Sequence, residues 1–362
     1  MGGIEENAAM VPSNIAKMAY LLGNGRNQHE MDQKLLKQKV YYHSGVATGV
    51  NNKIESDLEG NFGNIHEHLL DAYIWLAKEY KEGDEIYAFG FSRGATIVRS
   101  LFSFVRHVGL IRVDSQDRES LLRLAKSALD LYKTRNNDLI SSETEEFKNQ
   151  SCHNTPILKF IGVFDTVEAL DVPDGYSSLL PSSYLTKLIS FSGAIEENDY
   201  HDLRIGNQVQ HAYHAISMDE NREFFPPTMF EAIDSKFLHP NATREQKWFR
   251  GAHADVGGGF WEHGLADIAL DWMIENGRRA GLKIREREAF DAAFSPFLLG
   301  VDRDFYFTAK ERVIHDYFDK YPSGSSPLGN KKPRDLNFYM DSSKFFKSDF
   351  HDSVLKEFPA AL

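Results

Sequence analysis

The chain has 362 residues, 42% of them hydrophobic and 26% charged, with 41 Lys and Arg against 53 Asp and Glu and a net charge of −12. That apolar share supports a sizeable core and excludes wholesale disorder, while so acidic a chain lacks the concentrated basic face that nucleic acid requires. A single cysteine, Cys152, excludes an intrachain disulfide and a cysteine-based zinc site, and it suits a reducing compartment.

Residues 1–9 carry neither a basic segment nor an apolar one, so no signal peptide is expected. No stretch approaches the roughly 18 apolar residues of a transmembrane span. The expectation is a soluble globular protein whose compartment the sequence leaves unassigned. Residues 64–81 read as a helix: Ile65, Leu69, Tyr73, Leu76 and Tyr80 share one face, Asn64 and Glu67 suggest a capping box, and Gly83 a stop. Residues 85–90 are a short run of β-formers, a buried strand. Residues 96–108 return to helical spacing and end before Gly109. A peripheral helix is expected at 121–132. Residues 157–167 repeat the buried-strand pattern, and 209–218 and 246–249 supply two more strands. Leu265, Ile268, Ala269, Trp272 and Met273 mark a strongly amphipathic helix.

Strands alternating with helices predict βαβ units and a mainly parallel sheet covered on both faces. Residues 171–208 and 289–319 read as irregular insertions. Their apolar residues, among them Tyr176, Leu179, Tyr184, Phe290, Phe294 and Phe297, fit either a lid or lipid-facing surface, or satellite core. Residues 323–333 (SGSSPLGNKKP) are a loop by composition. No linker divides the chain, so one elaborated domain over 1–362 is expected.

The informative string is Gly90-Phe91-Ser92-Arg93-Gly94, a G-x-S-x-G motif between an apolar strand and an amphipathic helix. A serine hydroxyl is a poor nucleophile and must project toward a base. A sharp strand-to-helix turn does this at the cost of strained angles and close packing, which Gly90 and Gly94 would relieve. The backbone N–H of Arg93 would then face a developing oxyanion, helped by the helix dipole. The alternative reading of Ser92 is a tight structural turn.

Such a nucleophile needs an acid and a base further along the chain, in the order Ser, Asp or Glu, His. Asp165 ends the apolar run from Phe160 and would lie on the rim where parallel sheets place their sites, or else cap the turn. His253 sits in Gly251-Ala-His-Ala-Asp-Val-Gly-Gly-Gly259, where four glycines in nine residues imply unusual backbone angles. His201, His211, His214, His263 and His351 compete as bases. His214, within an expected strand, reads as a core or supporting histidine. His253 and Asp255 could instead ligate a metal, but no third ligand stands at a recognisable spacing, so no metal is expected. No G-x-x-x-x-G-K-[ST] or G-x-G-x-x-G string offers a cradle for nucleotide phosphates.

With these strings the chain resembles the Tle-type phospholipase effectors of bacterial type VI secretion, a family also spread through fungi and other eukaryotes as an uncharacterised hydrolase-like domain. The resemblance runs over about 13–282. It rests on Ser13-Asn-Ile-Ala-Lys17, Tyr42-His-Ser-Gly-Val46, residues 83–94, Gly162-Val-Phe-Asp-Thr-Val167, Ala212-Tyr-His-Ala215, residues 251–259 and Leu265-Ala-Asp-Ile-Ala-Leu270, with a tail match at 350–356. It implies an α/β-hydrolase-like, three-layer αβα sandwich, with Ser92 as nucleophile, Asp165 as acid and His253 as base. It further implies hydrolysis of glycerophospholipid acyl esters without a cofactor, and peripheral contact with membranes. One feature departs from the pattern. The family opens with an apolar strand ending in Asp-Gly-Thr, whereas here the Asn-Ile-Ala segment begins at Asn14. The expectation is therefore a sheet lacking its usual first strand and a weakened enzyme, or a catalytically impaired scaffold that binds lipid or protein.

Overall fold

In the computed structural model the described residues are 12–23, 38–43, 65–113, 118–134, 140–154, 156–167, 202–222, 225–231, 240–260, 263–285, 325–326, 329–330, 332, 334 and 351. The elements in chain order are α1 (Asn14–Leu21), α2 (Ile65–Glu79), β1 (Glu85–Phe91), α3 (Arg93–Val108), α4 (Arg118–Lys133), α5 (Ser142–Ser151), β2 (Ile157–Phe164), β3 (His211–Ser217), β4 (Thr243–Phe249), α6 (His253–Gly257), α7 (Gly264–Arg279) and the short pair β5 (Ser325–Ser326) and β6 (Gly329–Asn330). Strands β1 to β4 form one parallel sheet in sequence order with flanking helices, as an α/β-hydrolase-like fold requires. The segment expected to lack the usual first strand, and the apolar residues of the two insertions named above, lie outside the described residues. The chain divides into two compact units. The first holds Met1–Tyr42, Ala215–Glu223 and Lys247–Leu362, and the second His43–His214 and Phe224–Gln246.

In the second unit, β1 and β2 run in parallel register from Glu85 opposite Ile157 to Phe91 opposite Phe164, with a slip between Ile86 and Tyr87. Leu69, Tyr73 and Leu76 of α2, Phe104 of α3, Ala125 and Tyr132 of α4 and Ile161 of β2 share one core. Helix α4 turns Leu121, Ala125, Ala128 and Tyr132 into this core, while Arg123, Lys126 and Asp130 on its other face are exposed. The Tyr73 ring lies 4.3 Å from that of Phe104. Its hydroxyl donates to the Gly109 carbonyl at 2.9 Å and accepts from the Ile111 N–H at 3.1 Å, fixing the exit from α3. Gly109 itself stops α3 with φ +84°, and a Cβ there would stand 2.9 Å from the Cys152 side chain. Gly83 does not stop α2. That helix ends at Glu79, and Gly83 (φ +91°) serves the turn that Lys81 and Asp84 close.

Residues 202–208 belong to this unit too, and there Leu203 is buried and Ile205 joins the same core. Asp202 accepts from Arg106 at 2.6 Å and from Arg204 at 2.9 Å. Burial alone would raise its pKa, but the hydrogen bonds from Arg204 and the charges of both arginines pull it down to about 2.

In the first unit, Ser13 caps α1 by accepting the Ala16 N–H at 3.3 Å. The Asn14 amide donates to the carbonyls of Val256 and Ala266, both at 2.9 Å. Lys17, fully buried, meets Asp267 at 2.7 Å, whose other oxygen lies 2.7 Å from His263 Nδ1. The buried stripe of α7 is Leu265, Ala266, Ala269, Leu270 and Met273, while Ile268 and Trp272 sit half-buried at its margin.

Two stability predictions follow from these ion pairs. Removing one member of the buried Lys17–Asp267 pair strands a charge, so Lys17→Ala should cost about 3–5 kcal/mol in urea unfolding. A loss under 1 kcal/mol would contradict that placement. A carboxylate with a depressed folded pKa stabilises above its unfolded pKa and loses that contribution as pH falls through the folded value. Asp202→Asn should therefore cost about 1–2 kcal/mol at pH 7, and the gap to wild type should narrow between pH 4 and about 2. A gap that persists at pH 2 would sink the charge argument.

Candidate active site

Strand β1 ends at Phe91 and α3 begins at Arg93, so a single residue turns the chain. That residue is Ser92, at φ 57° and ψ −127°. An L residue adopts such angles only under constraint. Two constraints are visible. The Ser92 N–H donates to the Phe164 carbonyl at 3.1 Å, tying the turn to the end of β2, and the Ser92 carbonyl accepts the Ala95 N–H at 3.0 Å. The turn is also so tight that a Cβ on Gly90 would stand 2.5 Å from the Gly94 carbonyl oxygen and 2.6 Å from the Ala95 Cα. Gly94 meets no such limit, since nothing lies within 4 Å of a Cβ there. Clearance at the turn is therefore a requirement on Gly90 and not on Gly94. Arg93 is the first residue of α3, at the positive end of the helix, and burial lowers its guanidinium pKa.

Asp165 follows β2 directly, as Ser92 follows β1, and the two strands end in register at Phe91 and Phe164. Asp165 is fully buried and has φ 38°. Ser92 and Asp165 are the only described non-glycine residues with positive φ. Two adjacent parallel strands thus each end in a strained polar residue, a pattern concentrated at functional sites. The next residue is held by His214 of β3. The Thr166 N–H donates to His214 Nε2 at 3.1 Å, which assigns the proton to Nδ1, and Nδ1 faces Gln246 Oε1 at 3.3 Å. Fully buried and neutral, His214 supports the Asp165 turn.

His253 belongs to the first unit. The glycine-dense stretch expected to be a loop contains the short helix α6, and His253 opens it, 6% exposed. Gly251 (φ +107°) is required there, because a Cβ would stand 2.3 Å from the Asp255 Cβ. The Asp255 carboxylate accepts the Ala252 N–H at 2.9 Å, so this side chain caps the helix. Among the described residues no group of three His, Cys, Asp or Glu side chains could hold a metal ion. No described helix is long and apolar enough to cross a membrane.

Sequence reasoning missed Glu220. It is 1% exposed and accepts the His253 backbone N–H at 3.1 Å. Burial would raise its pKa, yet the hydrogen bonds and charge of Arg222, with the charge of His253, hold it below the ordinary value. The signal available was the acidic pair Asp219-Glu220 directly after β3 with an arginine two places on.

The geometry separates Gly90 from Gly94. Gly90→Ala should cost about 3 kcal/mol or more, since backbone and not a movable side chain blocks the new methyl. Gly94→Ala should stay within about 1 kcal/mol of wild type. His214→Ala, which leaves the Thr166 N–H without its acceptor, should cost about 1–3 kcal/mol. Thermal melts of the three variants check this, and equal losses at the two glycines would refute the turn geometry.

Comparison with known proteins gives one family. The model of the T6SS phospholipase effector Tle1-like catalytic domain matches residues 2–276. An uncharacterized protein of Saccharomyces cerevisiae, YEL023C, is 27% identical over 247 residues, which is 63% of this chain and 31% of that protein. The chain thus spans about a third of that relative's length. An uncharacterized protein from Pseudomonas aeruginosa, solved by crystallography, aligns at 18% identity with a TM-score of 0.33, covering 67% of this chain and 30% of that one, which is too loose to bear on the fold. The family match takes in Ser92, Asp165 and His253, and the yeast relative fits the expected eukaryotic occurrence. The chain belongs to the family of Tle1-like catalytic domains of type VI secretion phospholipase effectors.

Proposed function

We propose that the chain is a serine hydrolase that cleaves acyl esters of glycerophospholipids, with Ser92 as nucleophile, His253 as base and Asp165 as acid. The observation that carries this reading is the backbone at Ser92. A buried parallel strand hands directly to a helix through one strained serine, and the glycine two residues before it cannot bear a Cβ. A turn of ordinary purpose has no need of a serine there, because glycine adopts φ 57° without strain. Membership of a phospholipase effector family supports the lipid substrate, and contact with a membrane surface would deliver it.

In this mechanism His253 takes the Ser92 proton as the hydroxyl oxygen attacks the ester carbonyl carbon. The Arg93 N–H, at the positive end of α3, stabilises the oxyanion, which collapses to an acyl-enzyme as the alcohol leaves with the proton from His253. Asp165 holds the imidazole tautomer and offsets its charge. Water activated by His253 then releases the fatty acid and restores Ser92. No cofactor enters any step.

Fatty-acid release from vesicles of mixed phospholipids tests this. Ser92→Ala should lose at least about 10³-fold in rate with an unchanged melting temperature, since one hydroxyl contributes little packing. His253→Ala and Asp165→Ala should each collapse the rate, and adding either to Ser92→Ala should cost little more, because triad members act as a unit. A Ser92→Ala variant that keeps its rate would remove the nucleophile. A wild type without turnover would favour the lipid- or protein-binding scaffold.

A further inference from the structure

Three consecutive backbone N–H groups lead into α6, and each donates to a different carboxylate. Gly251 donates to Asp219 at 2.6 Å, Ala252 to Asp255 at 2.9 Å and His253 to Glu220 at 3.1 Å. Asp255 lies within α6 itself, whereas Asp219 and Glu220 come from the segment after β3 and so tie α6 to the sheet end. A five-residue helix makes too few internal hydrogen bonds to fix its own place. Its position must be imposed from outside.

Glu220 is the buried member of that pair, and it is fully engaged. One oxygen accepts the Asn221 N–H at 3.0 Å, the Arg222 N–H at 2.8 Å and Arg222 Nε at 2.8 Å. The other accepts Arg222 Nη2 at 2.8 Å and the His253 N–H at 3.1 Å. Five donors exceed the roughly four lone-pair directions of a carboxylate. No direction remains for an imidazole, so Glu220 is not the acid that orients a catalytic histidine. We infer that Glu220, clamped by Arg222, is a positioning residue that sets the place of His253 by holding its backbone N–H. The inference rests on the reading of His253 as the base. A charged acceptor in a dry site holds a backbone donor more firmly than a neutral one. Misplacement of a catalytic group by about 1 Å can cost 10²-fold in rate.

The test compares wild type with Glu220→Gln and Glu220→Asp by two measurements. One is the kinetics of hydrolysis of a soluble chromogenic short-chain ester. The other is hydrogen exchange of the His253 amide, read by NMR after selective histidine labelling and assigned with His253→Gln. Glu220→Gln should lower kcat by about 10²-fold with KM within about twofold, and its His253 amide should exchange at least about tenfold faster. Glu220→Asp, which keeps the charge at shorter reach, should recover part of both. A folded Glu220→Gln protein with kcat within about threefold of wild type would overturn the inference. So would a rate loss with an unchanged His253 amide. If Glu220→Gln does not fold, Glu220→Asp decides, since wild-type values for both measurements would refute the role. A wild type that hydrolyses no ester would refute the proposed function. The amide exchange would then still judge the anchor by itself.

Discussion

The site depends on one backbone constraint, the passage from a parallel strand to a helix through a single residue. A strand and a helix differ in direction as well as in φ and ψ, so one residue must absorb the whole change. Ser92 absorbs it at φ 57°, and the consequences spread outward. Its N–H must find an acceptor on the neighbouring strand, which requires β1 and β2 to end together. The unbroken register from Tyr87–Phe160 to Phe91–Phe164 ensures this. The same register sets Asp165 beside the turn, because the residue after Phe164 is then level with the residue after Phe91.

A second regularity is the use of buried and half-buried side chains to hold backbone at the ends of strands and helices. His214 holds the Thr166 N–H, Asp255 holds that of Ala252, Asp219 that of Gly251 and Glu220 that of His253. Asn14 does the same with two carbonyls, and Arg99 reaches those of Leu203, Thr228 and Met229. Irregular segments leave backbone groups without sheet or helix partners, and burial makes each one costly. A polar side chain satisfies the group and also fixes the segment's position, which a site requires.

The buried strands and amphipathic helices were legible in the sequence because apolar periodicity is a local signal. Residues 85–91, 157–164 and 211–217 are strands, and 93–108 and 264–279 are helices, near the positions their patterns indicate. Helix α5 was not legible, since Thr144 is its only buried residue and SETEEFKNQS shows no stripe; its capping serine, Ser141, was the available sign. Helix α6 was hidden because five residues make less than two turns and glycine masks the pattern. Ser92 and Asp165 could be found from strand ends. Glu220 also follows a strand, but its role arises from a contact with His253, 33 residues away, that periodicity does not encode.

The central claim is that the strained turn presents Ser92 as a nucleophile, and covalent labelling tests it most directly. The protein would be treated with a serine-directed fluorophosphonate and digested, and the adduct mapped by mass spectrometry. The account predicts one stoichiometric adduct on the peptide carrying Ser92, with none after His253→Ala. A folded protein that takes no label, or takes it at another serine, would contradict the account.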